Sequence, residues 1–364
     1  MVGGTVVGLL LGEVALRVVA PQPMGEMALA RHPDLLDAPI PLARGTITIP
    51  GVYEYTFHHD DQGRRLTGEP GGGPEILLLG DSFAYGMGVD DGETTAASLD
   101  RHLARLGTEA EVVNAGVPGK DPVYALRLLQ TRGRDWTPDA AVYLFYPNDW
   151  PSGWYQTLYS VEGDSLAPRE PSDPWQERRI AITGNPAFRF VRARSHVVAL
   201  SWRAAIATFG ENPPANGDPD TLSAPVEWSW NGAVEAMAPF ASALRDELAS
   251  RGAPLQVAYA PTASEVAYTR RTGSATPERT RFWELCRRVS LDCLDLTDAI
   301  VQTPAAVGDL YFPEAHWRAR THEIAARELA GPVSAMLRAR GARPTDATPG
   351  GVPSVEPSGR RPAG

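Results

Sequence analysis

The tetrapeptide Gly80-Asp81-Ser82-Phe83 follows directly on the apolar run Ile76-Leu77-Leu78-Leu79, which sets a serine hydroxyl where a buried strand ends. A serine so placed is a candidate nucleophile. At neutral pH its hydroxyl is weak, so it needs a base, a group that orients the base, and donors for a developing oxyanion. The base candidate is His316, in Asp309-Leu310-Tyr311-Phe312-Pro313-Glu314-Ala315-His316-Trp317, with Glu314 two residues upstream to orient the imidazole. Candidate oxyanion donors are the backbone N–H of Ser82, the backbone N–H of Gly119 in Asn114-Ala115-Gly116-Val117-Pro118-Gly119, and the side-chain amide of Asn148 in Tyr146-Pro147-Asn148-Asp149. Each of these donor segments follows an apolar, strand-like run.

Serine, glycine, asparagine and histidine in this order resemble the four blocks of the SGNH/GDSL hydrolase superfamily, over roughly residues 50 to 335. The resemblance implies a three-layer, flavodoxin-like α/β fold with a five-stranded parallel sheet. It also implies a serine that attacks an ester carbonyl, a glycine and an asparagine that help bind the oxyanion, and a histidine base. Those roles fall on Ser82, Gly119, Asn148 and His316. The commonest family pattern has an aspartate three residues before the histidine, where this chain has Pro313. Glu314-Ala315-His316-Trp317 instead resembles the acid-x-His-Trp block of envelope polysaccharide acetyl-group enzymes, with glutamate for aspartate, so Glu314 is the expected acid and Asp309 the alternative. Arg318 and Thr321 replace the asparagine and glycine often found after the histidine, while His322 matches a recurrent second histidine. Gly63-Arg64-Arg65 is similar to a glycine-x-arginine element that precedes the serine block in membrane-anchored relatives.

The function this implies is hydrolysis of short acyl esters on a carbohydrate or small glycoside through an acyl-Ser82 intermediate. O-acyl transfer to an envelope polysaccharide and a non-catalytic carbohydrate-binding descendant are the alternatives. The chemistry requires no metal or organic cofactor.

Something must hold these residues together. Five apolar runs read as core strands: Glu75 to Leu79, Ala110 to Ala115, Ala140 to Phe145, Leu255 to Ala260 and Ser290 to Leu296. Helical patterns lie between them, among them Thr95 to Leu106, Val123 to Arg132 and Ala233 to Arg251. Such alternation predicts a parallel sheet covered on both faces, with the ligand beyond the carboxyl ends of the strands. A last helix, His322 to Arg340, closes the domain and holds the His316 loop against Ser82. Val52 to Phe57 alternates like an edge strand.

The stretch from Trp150 to about Val226 interrupts the alternation and carries Trp154, Tyr155, Tyr159, Trp175 and Trp202. It reads as a lid whose aromatic faces, with Trp150, Trp154 and Trp317, wall a substrate, or as a helical subdomain that uses its aromatics as core. The organisation is thus residues 1–21 as a truncated signal anchor or a packing helix, 22–74 as an extension, 75–340 as the hydrolase-like domain with its insertion, and 341–364 as a disordered Pro/Gly-rich tail.

The chain of 364 residues has 34 basic and 44 acidic side chains, a net charge of −10, and Lys120 as its single lysine. No basic run is interleaved with aromatics, so nucleic acid is not an expected partner. Expected partners are an ester substrate and, through the apolar N-terminus, a membrane; the expected location is the cell envelope or beyond. Cys286 and Cys293 pair if the protein is exported and are small buried side chains if it is cytosolic. Gly119-Lys120 fails as a phosphate loop because Asn114 and Asp121 replace its first glycine and its Ser/Thr. His58 and His59, adjacent in a strand-like run, point to opposite faces and read as a solvated turn, not as a metal site.

Overall fold

The computed structural model describes residues 2–25, 27–68, 72–150, 158–162, 165–171, 174–209 and 232–341. Trp154, Tyr155 and the tail from residue 342 lie outside the described residues. The chain opens with α1 (Val2–Val19), the hairpin β1 (Leu29–His32) and β2 (Leu36–Pro39), and a second hairpin, β3 (Arg44–Ile49) and β4 (Tyr53–His58). The central domain begins with β5 (Glu75–Gly80), α2 (Ser82–Tyr85), α3 (Thr95–Arg105), β6 (Glu111–Asn114), α4 (Pro122–Gln130) and β7 (Ala140–Phe145). The insertion contributes β8 (Tyr159–Glu162), β9 (Ser165–Pro168), α5 (Pro174–Thr183), α6 (Pro186–Arg192) and α7 (His196–Phe209). The domain resumes with α8 (Ala233–Ser250), β10 (Leu255–Tyr259), α9 (Ala263–Thr272), α10 (Pro277–Arg288), β11 (Asp292–Asp295), α11 (Thr297–Gln302), α12 (Val307–Leu310) and α13 (Ala319–Gly341).

The main sheet is all-parallel and ordered β11-β10-β7-β5-β6. In units of its own strands that is 2-1-3-4-5, the flavodoxin-like order, whose switch point lies beside the first strand. Its central strands β5 and β7 are apolar on both faces because both are covered, whereas the edge strand β11 begins and ends on aspartates and is only partly buried. Leu77, Leu79, Tyr143 and Phe145 pack under α4, α8 and α10. Their neighbours Ile76, Leu78, Val142 and Leu144 pack under α3, α9 and α13. The carboxyl ends of β5 and β7 therefore open at the same edge, where Ser82 and Asn148 follow.

The 52–57 segment is a strand outside the main sheet: β4 pairs antiparallel with β3 in a two-stranded hairpin of its own. Its alternation sends Tyr53, Tyr55 and Phe57 inward onto Tyr85, Val89 and Phe312, so the hairpin is a wall beside the Ser82 helix. One expectation about the turn after it is corrected: Asp61 and Gln62 are exposed, but His59 is not solvated. His59 is buried, with Nδ1 against the Ile40 carbonyl and Nε2 against the Tyr85 hydroxyl, and desolvation lowers its pKa to about 4.

Arg65 is the strongest tie between extension and domain. Its fully buried guanidinium donates to Asp91 Oδ1 at 2.8 Å and to the carbonyls of Tyr85, Gly86 and Val89 at 2.9, 2.6 and 2.6 Å. It thus holds the C-terminal end of α2, the helix that begins at Ser82. Arg65→Ala would take the charged donor from the Gly86 and Val89 carbonyls and from Asp91, which His58 still reaches, and its expected cost is about 3–5 kcal/mol. Urea denaturation checks this; an unchanged midpoint would show that the clamp is dispensable.

Two described aromatics of the insertion, Tyr159 and Trp202, pack against other rings. Tyr159 meets Phe240 with ring centroids 5.8 Å apart, and Trp202 meets Phe188 at 5.1 Å. α1 docks on α7 through Glu13, which accepts from the N–H groups of His196 and Val197 and from the Ser195 hydroxyl, capping a helix other than its own. Desolvation opposes ionisation of Glu13, but these donors and Arg17 outweigh it and bring the pKa down to about 2. Cys286 and Cys293 form a disulfide between α10 and β11.

Candidate active site

Gly80 is the last residue of β5, at φ +141, where an added Cβ would stand 2.7 Å from the Leu144 carbonyl oxygen. Only glycine brings the chain past β7 there and into the turn that starts α2. Asp81 then caps α2, accepting from the Phe83 N–H at 2.8 Å. Ser82 is the first residue of that helix, so its N–H points out of the helix N-terminus.

His316 arrives from the other side of the sheet edge. A tight turn bonds Phe312 N–H to the His316 carbonyl and Ala315 N–H to the Phe312 carbonyl, with Ala315 at φ +82. The left-handed residue costs a non-glycine about 1–2 kcal/mol, and it lets Glu314 and His316 share a face. His316 Nε2 lies 2.9 Å from Ser82 Oγ, and Nδ1 lies 3.2 Å from Glu314 Oε1. Phe83 stacks on the imidazole with centroids 5.2 Å apart, fixing the ring plane from below. This Ser–His–Glu line has the geometry of nucleophile, base and orienting acid. Solved esterases resemble the chain at low identity. The esterase EstA from Pseudoalteromonas sp. is 11% identical, with 73% of this chain and 100% of that one covered and a TM-score of 0.40. A lipase/acylhydrolase from Enterococcus faecalis is 16% identical over 72% of this chain and 96% of that one, with a TM-score of 0.39. The acetyl xylan esterase AlAXEase is 11% identical over 71% and 99%, with a TM-score of 0.40. No protein-family model matches the chain, and no curated protein matches it.

Of the two acid candidates, Glu314 is the one that contacts His316. Asp309, the alternative, accepts from the Ala306 N–H and caps α12 instead. Among the described residues, the N–H groups of Ser82 and Gly119 donate to no protein acceptor. Gly119 sits in a turn at φ +72 and is exposed. That turn approaches the Ser82 helix closely upstream: a Cβ on Gly116 would stand 2.4 Å from Tyr85 N. Asn148 lies in a 3-10 turn after β7, and its Nδ2 donates to Asp81 Oδ2 at 3.1 Å.

Asp81 is the site residue that sequence reading missed. Its carboxylate also faces the Ser82 hydroxyl at 3.4 Å, so one buried side chain touches Ser82, the Phe83 N–H and Asn148. Burial raises its pKa, while the Phe83 N–H and the Asn148 amide pull the other way. The signal was present in the motif itself, as the residue before the serine.

The substrate wall is corrected at both tryptophans that are described. Trp150 is buried against Phe145, centroids 5.0 Å apart, and belongs to the core under α4 and α8. Trp317 is fully buried, edge-on to Phe83 at 5.3 Å and to His322 at 5.5 Å. Trp317 directly follows His316 and points inward where the histidine faces Ser82, and Trp150, two residues after Asn148, is buried together with Asp149. His322 is buried too, with Nδ1 2.8 Å from Thr95 Oγ1, and desolvation lowers its pKa to about 3. It braces α13 against α3. No group of three or more His, Cys, Asp or Glu side chains fit to hold a metal occurs among the described residues.

Proposed function

We propose that this chain is a serine esterase of the SGNH/GDSL type that cleaves short acyl esters of a carbohydrate or small glycoside. The observation that carries the reading is the unbroken contact from Ser82 Oγ through both ring nitrogens of His316 to Glu314. In this reading Ser82 Oγ attacks the ester carbonyl while its proton passes to His316 Nε2. The N–H groups of Ser82 and Gly119 and the Asn148 amide receive the oxyanion. His316 then returns the proton to the departing alcohol, leaving an acyl-Ser82 ester. Water, deprotonated by His316, repeats the cycle and releases the acid. The preference for short acyl groups on sugars rests on the likeness of Glu314-Ala315-His316-Trp317 to the acid-x-His-Trp block.

Mass spectrometry of the protein mixed with p-nitrophenyl acetate tests the chemistry. A transient acetyl adduct on Ser82, lost in Ser82→Ala, is expected; turnover without any dependence on Ser82 would overturn the reading. Esters from acetate to dodecanoate test acyl length, and adding glycan acceptors separates hydrolysis from transfer.

The reading places the enzyme at a membrane surface outside the cytoplasm. The Cys286–Cys293 bond supports an oxidising compartment. No helix of the described residues is long and apolar enough to cross a membrane. Yet α1 exposes Val7, Leu10, Leu11 and Val14, and the adjoining α6 and α7 expose Phe190 and Leu200. Residues 174–209 carry six arginines and one glutamate in a chain whose net charge is −10, which suits an anionic bilayer. The full chain is expected to float with vesicles containing anionic phospholipid and to stay behind when Leu10 and Leu11 are both changed to Asp. Recovery of the wild-type chain only in the lipid-free fraction would rule this placement out.

A further inference from the structure

Glu314 uses one carboxylate oxygen on His316 and leaves the other, Oε2, buried with no hydrogen-bond partner. A buried carboxylate oxygen without a donor is costly. The Tyr53 hydroxyl is likewise buried and unpartnered. The two orphans belong to neighbouring segments. The Tyr53 ring packs edge-on against Phe312, centroids 5.1 Å apart, and Phe312 opens the turn that carries Glu314 and His316. The two orphan atoms do not meet directly. We propose that Tyr53 is a positioning residue for the triad, its hydroxyl donating through one bridging water to Glu314 Oε2 so that Oε1 stays on His316 Nδ1. This rests on the esterase reading above.

The electrostatics agree. Desolvation, followed by the Glu314 charge, raises the Tyr53 pKa, so the phenol stays protonated and able to donate. Glu314 also raises the pKa of Tyr55, the next inward residue on β4, after the larger effect of desolvation. The remaining charged or titratable groups around the pair are His316 itself, Asp81 and His322, which both interact with His316, and Arg318, whose guanidinium lies 4.3 Å over the Phe312 ring. Arg318 donates to the carbonyls of Gly308 and Tyr311. Tyr53 is therefore the side chain placed to complete Glu314, and the β3–β4 hairpin becomes part of the catalytic apparatus and not only a wall.

Tyr53→Phe keeps the edge-on packing and removes only the hydroxyl. With p-nitrophenyl acetate, kcat is expected to fall about tenfold, the scale of one hydrogen bond to a charged group, with KM within about twofold. Without that donor Oε2 is left unsatisfied and Oε1 is held less firmly on His316 Nδ1, so the loss falls on kcat and not on KM. On a Glu314→Gln background the same substitution is expected to change nothing further. A purely structural loss would instead lower the melting temperature and reduce kcat equally on both backgrounds, and would overturn the proposal. If Ser82→Ala is inactive but Tyr53→Phe matches wild type in kcat, the proposal fails while the triad stands. If Ser82→Ala retains full activity, both fail.

Discussion

Ser82→Ala is expected to lower kcat on p-nitrophenyl acetate by about 10⁴- to 10⁶-fold, His316→Ala by a comparable factor, and the double variant by no more than either single change. The reason is that Ser82 Oγ and His316 Nε2, 2.9 Å apart, act as one unit. Without the base the serine is a poor nucleophile, and without the serine the base has nothing to activate. Glu314→Gln should fall slightly less far, on the order of 10⁴-fold, because an amide at Nδ1 favours the wrong tautomer while leaving both reacting groups in place. KM is expected to change little in all three, since none of these groups gains its main contact in the ground state. Steady-state and single-turnover kinetics on purified variants check this. Additive losses in the double variant would mean that Ser82 and His316 act independently, and more than a few per cent activity in Ser82→Ala would place the nucleophile elsewhere.

The site was legible where chemistry and chain order coincide. Gly80, Asp81 and Ser82 follow an apolar run with no intervening polar residue, so the strand end could be located to within a residue. The acid was harder, because Glu314 and Asp309 are both near His316 in sequence. The turn decides between them: Ala315 in the left-handed region folds Glu314 back onto Nδ1, and no sequence pattern announces a left-handed alanine. The tryptophans failed for a related reason. Trp317 is adjacent to His316, and in a tight turn adjacent side chains diverge; Trp150 lies two residues after Asn148 and turns back onto Phe145, so proximity in sequence did not place either indole in the site.

The fold was legible in its sheet because the strands are covered on both faces and read as unbroken apolar runs. Ala140–Phe145 is observed with the expected bounds, and the other core strands are shorter than expected by one to three residues or longer by one. The extension was not legible to the same degree. Val52 to Phe57 alternates, and alternation says that one face is buried without saying against what. Here the buried face meets Phe312 and Tyr85 instead of the sheet, which is why a segment of the extension comes to lie beside the turn that carries Glu314 and His316. His59 was misread alongside it, since a His-His-Asp-Asp run looks solvated until Tyr85 and Ile40 are found around one of its rings.

Asn148→Ala is expected to reduce kcat by about 100- to 1000-fold with little change in KM, the usual loss for one oxyanion donor. The amide has two hydrogens. One is given to Asp81 Oδ2 at 3.1 Å, which orients the group and leaves the second for the oxyanion. Asp81 is thus expected to matter through Asn148: Asp81→Asn removes the carboxylate that fixes the amide and should produce much of the Asn148→Ala loss, with the two changes together costing little more than the larger one. The comparison is informative because Asp81 also caps α2 through the Phe83 N–H, a role that asparagine can keep. Kinetics of the two single variants and the double variant, read beside their melting temperatures, separate the roles. A fall in stability without a fall in kcat for Asp81→Asn would make it a helix cap alone, and an Asn148→Ala variant with wild-type kcat would leave the oxyanion to the N–H groups of Ser82 and Gly119.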